Sequence, residues 1–196
     1  STYKQTSAPV DPVFNIAGWN SSYTGEPIPS AQMRDWVDQT VERILSLRPR
    51  RVLEIGCGTG LLLFRVAPHC SIFHGTDLTA ASIEYLKRQL ALAEGAFQNV
   101  TVSQQRGDDF TGIQTGSFDT VILNSVVQYF PGVEYLLDIL KRVIETVEPG
   151  GSVFLGDLRS LPLLRAFHAA VELQNAASSL DTKTLLQRVE RAAEQE

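Results

Sequence analysis

Apolar positions along this chain fall into segments of two periods that take turns. From Ser30 to Leu47, Met33, Trp36, Val37, Thr40, Val41, Ile44 and Leu45 recur at three- and four-residue steps, the spacing of one face of an α-helix. Ser30 is placed to cap this helix, and Pro49 cannot continue it. Val52-Leu53-Glu54-Ile55 then reads as a short buried strand, ended by the run Gly56-Cys57-Gly58-Thr59-Gly60, after which a helix starts at Leu61 and stops by Pro68. The alternation repeats. Ser71 to Thr76 reads as a strand ending at Asp77, Thr79 to Ala93 as a helix, Val100 to Gln104 as a strand, and Phe118 to Leu123 as a buried strand ending at Asn124. Val133, Leu136, Leu137, Leu140, Val143, Ile144 and Val147 form a further helical stripe, which Pro149-Gly150-Gly151 ends before a fifth strand, Ser152 to Leu155. Beyond Leu161 the pattern is helical, with Leu163, Leu164, Phe167 and Val171 on one stripe and Leu180, Leu185, Leu186 and Val189 on a later one.

Strands that alternate with helices pair in parallel through right-handed crossovers, and the sheet they build is covered on both faces. The expected fold is α/β, doubly wound, with a mostly parallel sheet. Residues 30–196 form its core and residues 1–29 a linker or lid segment leading into it. The chain has 196 residues, 43% of them hydrophobic and 20% charged, which fits one globular domain with a sizeable core. A net charge of −5 speaks against a nucleic-acid partner. Arg48, Arg50 and Arg51 read as a solvated connection between helix and strand. Two cysteines, Cys57 and Cys70, make no disulfide framework, and no apolar run has the length of a membrane helix. A soluble, cytoplasmic setting without a membrane is the expectation. No spacing of His, Cys, Asp or Glu suggests a metal site, and His69 and His74 read as structural.

In open α/β sheets, ligands bind beyond the carboxyl ends of the strands, near the switch in strand order. At the first strand end, Gly56, Gly58 and Gly60 permit a tight turn and let a ligand lie against backbone N–H groups at a helix start. At the second stands Asp77, about twenty residues past the glycines, where a carboxylate accepts hydrogen bonds from the ribose hydroxyls of an adenosine. Each feature alone is weak; in register they point to a nucleoside site. Beyond the third strand, Asp108, Asp109 and Phe110 either offer a carboxylate and a ring to an adenine or form a plain acidic turn. Asn124 and Ser125 close the fourth strand and either meet the polar end of a cofactor or cap the next segment. The loop is not the dinucleotide pattern G-x-G-x-x-G, because Gly60 comes one residue early and Glu54 precedes it, and it lacks the Lys-Ser/Thr ending of a P-loop.

Longer stretches carry a family resemblance. Phe14 to Gly25 (FNIAGWNSSYTG), Pro27-Ile28-Pro29, Leu53 to Leu62 (LEIGCGTGLL), Asn124 to Pro131 (NSVVQYFP) and Gly156 to Leu164 (GDLRSLPLL) resemble the methyltransferase domains embedded in nonribosomal peptide synthetases and polyketide synthases. The resemblance implies S-adenosylmethionine as cofactor, S-adenosylhomocysteine as product, and an acceptor tethered by phosphopantetheine to an acyl or peptidyl carrier protein, with further synthase domains flanking this one. It implies cofactor contacts from Tyr23, Glu54, Gly56, Gly58, Gly60, Asp77, Leu78, Asp108, Asp109, Phe110, Asn124 and Ser125, with Trp19 to Tyr23 folding over the cofactor as part of a lid. Such sheets usually finish with an antiparallel strand pair that this sequence lacks, so the chain is expected to be cut from a longer one.

Methyl transfer is an in-line displacement from a sulfonium, in which the enzyme aligns the acceptor and removes its proton. His168, with Glu172 one turn on to orient it, is the candidate base, or the two form a solvated pair. Tyr129 and Gln128 are second candidates for touching the acceptor, and Asp157 and Arg159 third. A His168–Glu172 dyad favours an oxygen acceptor, with nitrogen the alternative. Two readings of other classes stay open: a non-catalytic relative that keeps the fold but not the cofactor, and a nicotinamide-dependent domain that binds NADPH.

Overall fold

The computed structural model describes residue 11 and residues 13–194. Residues 1–10 and 12, the first part of the segment read as a linker, lie outside the described residues. Among the described residues, five strands and six helices follow in the order the sequence predicts, alternating except where β4 follows β3 and α6 follows α5: α1 (Ser30–Ser46), β1 (Arg51–Ile55), α2 (Leu63–Val66), β2 (Ile72–Asp77), α3 (Ala80–Leu92), β3 (Val100–Gln104), β4 (Phe118–Asn124), α4 (Val133–Thr146), β5 (Val147–Gly156), α5 (Leu161–Asn175) and α6 (Thr182–Glu194). The sheet order is β3-β2-β1-β4-β5 with every pair parallel. The chain therefore winds outward from β1 in one direction through β2 and β3, then crosses back to β4 and β5. The switch in strand order lies between β1 and β4, and it fixes where a cleft can open.

Because successive side chains on a strand point to opposite faces, β1 divides its residues between two cores. Val52, with Phe73, Ile122 and Phe154, packs under α1, α2 and α3 through Ile44, Leu63, Val66, Ile83 and Leu86. Leu53 and Ile55, with Val121 and Leu123, pack under α4 through Ile139 and Val143. A third cluster joins the first half of α1 to the segment before it, with Phe14, Met33, Val37 and Leu61 buried together and Trp19, Trp36 and Ile28 against them. Arg34 and Arg65 lie over the Phe14 ring at 4.1 and 5.4 Å, which fastens the entering segment to α1 and α2.

Several local expectations are corrected. Helix α1 begins at Ser30 itself, with Pro29 in the cap position and no side-chain cap bond. The helix after the glycine loop has four residues and continues as a single 3-10 turn, Ala67–His69. The inward stripe of α4 runs through Ile139, Val143 and Thr146, while Val133, Leu137 and Ile144 are exposed. Helix α5 has no fully buried residue and packs chiefly on α6.

The largest difference is at the fifth strand, which starts at Val147 and runs through Pro149-Gly150-Gly151 instead of after it. Val147 pairs with Phe118 and Ser152 with Thr120, so residues 148–151 of β5 stand opposite Asp119 of β4 and the excess forms a bulge. Gly150 adopts φ +85, and a Cβ at Gly151 would sit 2.6 Å from the backbone oxygen of Asp119. That oxygen has little freedom to retreat, because the Asp119 carboxylate accepts from the N–H groups of Arg50 and Arg51 at 3.0 and 2.8 Å. Gly151→Ala is therefore expected to destabilise the fold by about 1–3 kcal/mol, as overpacking does. Urea unfolding measures this, and an unchanged midpoint would contradict the close approach.

Candidate functional site

Beyond the carboxyl ends of β1 and β4 lies a cleft of about 1200 Å³. Its floor is the glycine loop, with Glu54, Gly56, Gly58 and Asp77; one wall is the fourth strand end, Asn124 to Tyr129; the other wall is Gly18, Trp19, Met33 and Trp36. Asp157, Leu158 and Arg159, after β5, complete the rim.

The loop is tied to the end of β2. Gly56 and Cys57 both donate to the Thr76 carbonyl, at 2.8 and 2.9 Å, and Gly58 N–H donates to Asp77 Oδ2 at 2.9 Å. Asp77 Oδ1 accepts from the backbone N–H and hydroxyl of Thr79 at 2.8 and 2.7 Å, which fixes the carboxylate where the strand meets α3. Oδ2, which accepts only from Gly58, has room for a further donor. Gly58 holds φ +53 with nothing within 4 Å of the position a Cβ would take, so the backbone lies open to a ligand there. Gly56 and Gly60 are glycines for packing: a Cβ on the first would lie 2.6 Å from Val126 and on the second 2.6 Å from Leu86 and 2.7 Å from Phe64.

Glu54 is the electrostatic centre. It is 3% exposed, and its Oε2 has no hydrogen-bond partner. Burial, reinforced by the nearby charge of Asp77, pushes its pKa up to about 8. Asn124 Oδ1 is the other buried side-chain oxygen without a partner among the described residues, and it lines the same cleft. Glu54 and Asn124 both line the cleft, so two polar side chains there each keep a buried oxygen without a partner.

The ends of β4 and β5 are joined by side chains. Asn124 Nδ2 donates to Ser125 Oγ at 3.0 Å, and Ser125 Oγ donates to Asp157 Oδ2 at 2.6 Å. Ser125 and Asp157 both have left-handed backbone, φ +55 and +57, which costs a non-glycine residue free energy. The sequence offers no periodic signal for this pairing, because the two residues are brought together by the β4–β5 register alone.

Other sequence candidates lie apart from these. Tyr23 lines an adjoining pocket of about 600 Å³ and meets Phe167 edge-on at 5.9 Å, and Arg159 lies over Phe167 at 4.2 Å. Leu78 is 64% exposed just past Asp77. Asp108 accepts from Arg106 on both oxygens and from Tyr135 Oη at 2.9 Å, and its pKa is held down by Arg106. Asp109 accepts from Thr111 N–H, and Phe110 packs on the α4 core under Arg142. His168 and Glu172 stand on α5, the His168 ring edge-on to Phe167 at 5.2 Å, and neither is among the residues that line the cleft; Tyr129 is, and is 79% exposed. His74 bridges Thr101 Oγ1 and Ser103 Oγ at 2.7 and 3.1 Å, a structural role. Trp19, expected in the lid, packs against Trp36 with ring centroids 4.8 Å apart and planes tilted by 50°; the residues missed are Met33 and Trp36 as cleft wall and Thr59, whose Oγ1 donates to the Asn15 carbonyl at 2.9 Å and binds the entering segment to the loop. No group of three or more metal-ligating side chains occurs among the described residues, and no helix there is long and apolar enough to cross a membrane.

Comparison with known proteins places this geometry. Residues 53–153 match the family model described as a methyltransferase domain. The chain is 50% identical over 186 residues, 95% of its length, to the chondramide synthase of Chondromyces crocatus. It is 43% identical over 169 residues, 86% of its length, to a probable non-canonical nonribosomal peptide synthetase of Salinispora arenicola. It spans 5% and 2% of those two relatives. Its fold is similar to that of the N-methyltransferase NodS of Bradyrhizobium japonicum, solved with S-adenosyl-L-homocysteine, at a TM-score of 0.58 and 18% identity, covering 81% of this chain and 73% of that one.

The buried carboxyl makes stability depend on pH with a definite sign. Because the folded pKa of Glu54 is about 8 against an ordinary 4.5, the native state keeps a proton that the unfolded chain loses across that window. Rising pH therefore destabilises the protein through this group until about pH 8, above which both states are ionised. Glu54→Gln removes that loss. The stability of the variant relative to wild type should grow from about pH 5 to pH 8 in urea unfolding, and a pH-independent difference would contradict the raised pKa.

Proposed function

The chain belongs to the methyltransferase-domain family, and from that premise we propose that it transfers a methyl group from S-adenosylmethionine to a nitrogen of an intermediate tethered by phosphopantetheine to a carrier protein, inside a modular nonribosomal peptide or polyketide synthase. The observation that carries this reading is the pair of carboxyl groups on the cleft floor, where buried Glu54 lacks a partner for Oε2 and Asp77 is locked by Gly58 and Thr79. When bound, the cofactor supplies an electrophilic methyl group on a sulfonium. Asp77 holds the ribose hydroxyls, and Glu54 and Asn124 accept from the amino-acid end. Met33, Trp19, Trp36 and Val126 wall the site and exclude water.

The acceptor atom follows from what surrounds the cleft. The case for oxygen rests on His168 as base, oriented by Glu172, and neither residue lines the cleft. An α-amine is free of its proton in a useful fraction near neutral pH, whereas a hydroxyl is far less acidic and needs a placed base. Nitrogen is therefore the acceptor that this cleft serves. A carrier-tethered substrate agrees with relatives that are very large synthases, of which this chain spans a few per cent.

Calorimetric titration tests the cofactor. S-Adenosylmethionine should bind saturably and NADPH should not; absent binding of the first would remove the proposal. Asp77→Ala should weaken that binding by about 1.5–3 kcal/mol, the range for hydrogen bonds to a charged group. The heat should also vary with the ionisation enthalpy of the buffer, as Glu54 sheds its proton to a cationic ligand.

A further inference from the structure

We propose that Asp157 is the residue that recognises the acceptor's amino group, and that the Asn124–Ser125–Asp157 chain of hydrogen bonds aims it. This rests on the methyltransferase reading and adds the substrate class and the specificity residue. Four observations carry it. Asp157 stands at the end of β5, exposed and on the rim of the cleft. Its Oδ2 is engaged by the Ser125 hydroxyl at 2.6 Å, and that hydroxyl is itself committed as donor because it accepts from Asn124 Nδ2 at 3.0 Å. The direction of every bond in this relay is thereby set, and the carboxylate is oriented rather than merely present.

The backbone supplies the second argument. Ser125 and Asp157 are adjacent strand ends, each in the left-handed region where a side chain is strained, and Ser125 N–H also donates to the Gly156 carbonyl at 3.2 Å. A fold that needed only to end two strands would do so with glycine at these positions. Here the strain holds two polar side chains against each other at the rim. Gly156 completes the device, because a Cβ there would lie 2.1 Å from Asn124 Oδ1, so glycine is what lets the amide sit where it does.

Third, the far end of the relay is unsatisfied. Asn124 is 8% exposed and its Oδ1 has no partner. Fourth, apart from the Glu54 carboxyl that burial keeps protonated, the charged side chains lining the cleft are Asp77 and Asp157 against Arg159, and the Arg159 guanidinium lies over Phe167 at 4.2 Å. The local field therefore favours a cation. A carboxylate only accepts hydrogen bonds, and an aminoacyl ammonium offers three donors with a charge where a hydroxyacyl group offers one without. The cleft selects aminoacyl over hydroxyacyl acceptors.

The test uses two thioesters of N-acetylcysteamine that differ in one group, L-alanyl and L-lactoyl, titrated into the full chain with and without S-adenosylhomocysteine near pH 7. Wild type should bind the alanyl thioester about tenfold or more tightly than the lactoyl one. Asp157→Asn should bring the alanyl affinity down to the lactoyl level with the lactoyl affinity unchanged, and Asp157→Glu should restore part of the preference. The preference should fade as pH rises past the pKa of the amine. Equal binding of both probes by wild type, binding of neither, or a preference that survives Asp157→Asn in a variant with wild-type thermal unfolding, would overturn the assignment. Failure of S-adenosylhomocysteine to bind would instead count against the methyltransferase reading, since the alanyl-to-lactoyl comparison is also made without it.

Discussion

An ionisable carboxyl enclosed in the protein with no partner for one of its oxygens is the constraint on which the rest of this site depends. Glu54 belongs to the central strand, and its neighbours in the chain, Leu53 and Ile55, are committed to the core beneath α4. The strand cannot shift register without turning those residues out of the core, so the carboxyl is held at the cleft floor by apolar packing on either side of it. Burial then makes its ionisation costly, and the nearby Asp77 carboxylate adds to the cost. A protein that retained such a group for stability alone would do better with glutamine or an apolar residue. Its persistence is intelligible if something positively charged arrives to answer it.

The same logic governs the other side of the cleft. Ser125 and Asp157 sit in backbone conformations that oppose folding, and they sit there at the carboxyl ends of adjacent parallel strands, where the topology already concentrates ligand contacts. Strain at a strand end is tolerated when surrounding structure over-determines it. In this case the over-determination is visible: β4 and β5 pair in continuous register from Thr120 to Asn124, and Gly156 makes space for the amide that begins the relay. Rigidity of the sheet is thus converted into the aim of a few polar atoms.

How far this was legible beforehand depends on whether a feature is encoded locally. The five strands and their helices are periodic, and periodicity survives in the sequence whatever the tertiary context. The glycine loop and Asp77 are likewise legible, because they occur at strand ends in a fixed register. The start of the fifth strand is not legible, because Pro149-Gly150-Gly151 normally ends an element and only pairing with β4 makes it a bulge within one. The stripe of α4 was displaced because its periodicity shows which residues are apolar, not which face the sheet lies on. His168 and Glu172 form a plausible dyad by spacing, but α5 leans on α6 and the cleft lining takes Leu161 and Leu164 from that helix. The Ser125–Asp157 contact joins residues 32 positions apart and leaves no trace in either neighbourhood.

The glycine loop shows why nearly identical loops on the same architecture serve different ligands. A phosphate-binding turn leaves its backbone N–H groups free and places them at the start of a long helix, whose dipole adds to their pull on an anion. In this chain the N–H groups of Gly56 and Cys57 are spent on the Thr76 carbonyl and that of Gly58 on Asp77, and the following helix has four residues. The loop is stiffened, but its capacity to hold an anion is removed. What it presents instead is a carboxylate locked by one of its own glycines, beside a second carboxyl that burial keeps protonated near neutral pH. With its donors turned to the end of β2, the loop offers a ligand carboxyl groups rather than N–H groups, which suits a hydrogen-bond donor and not a phosphate.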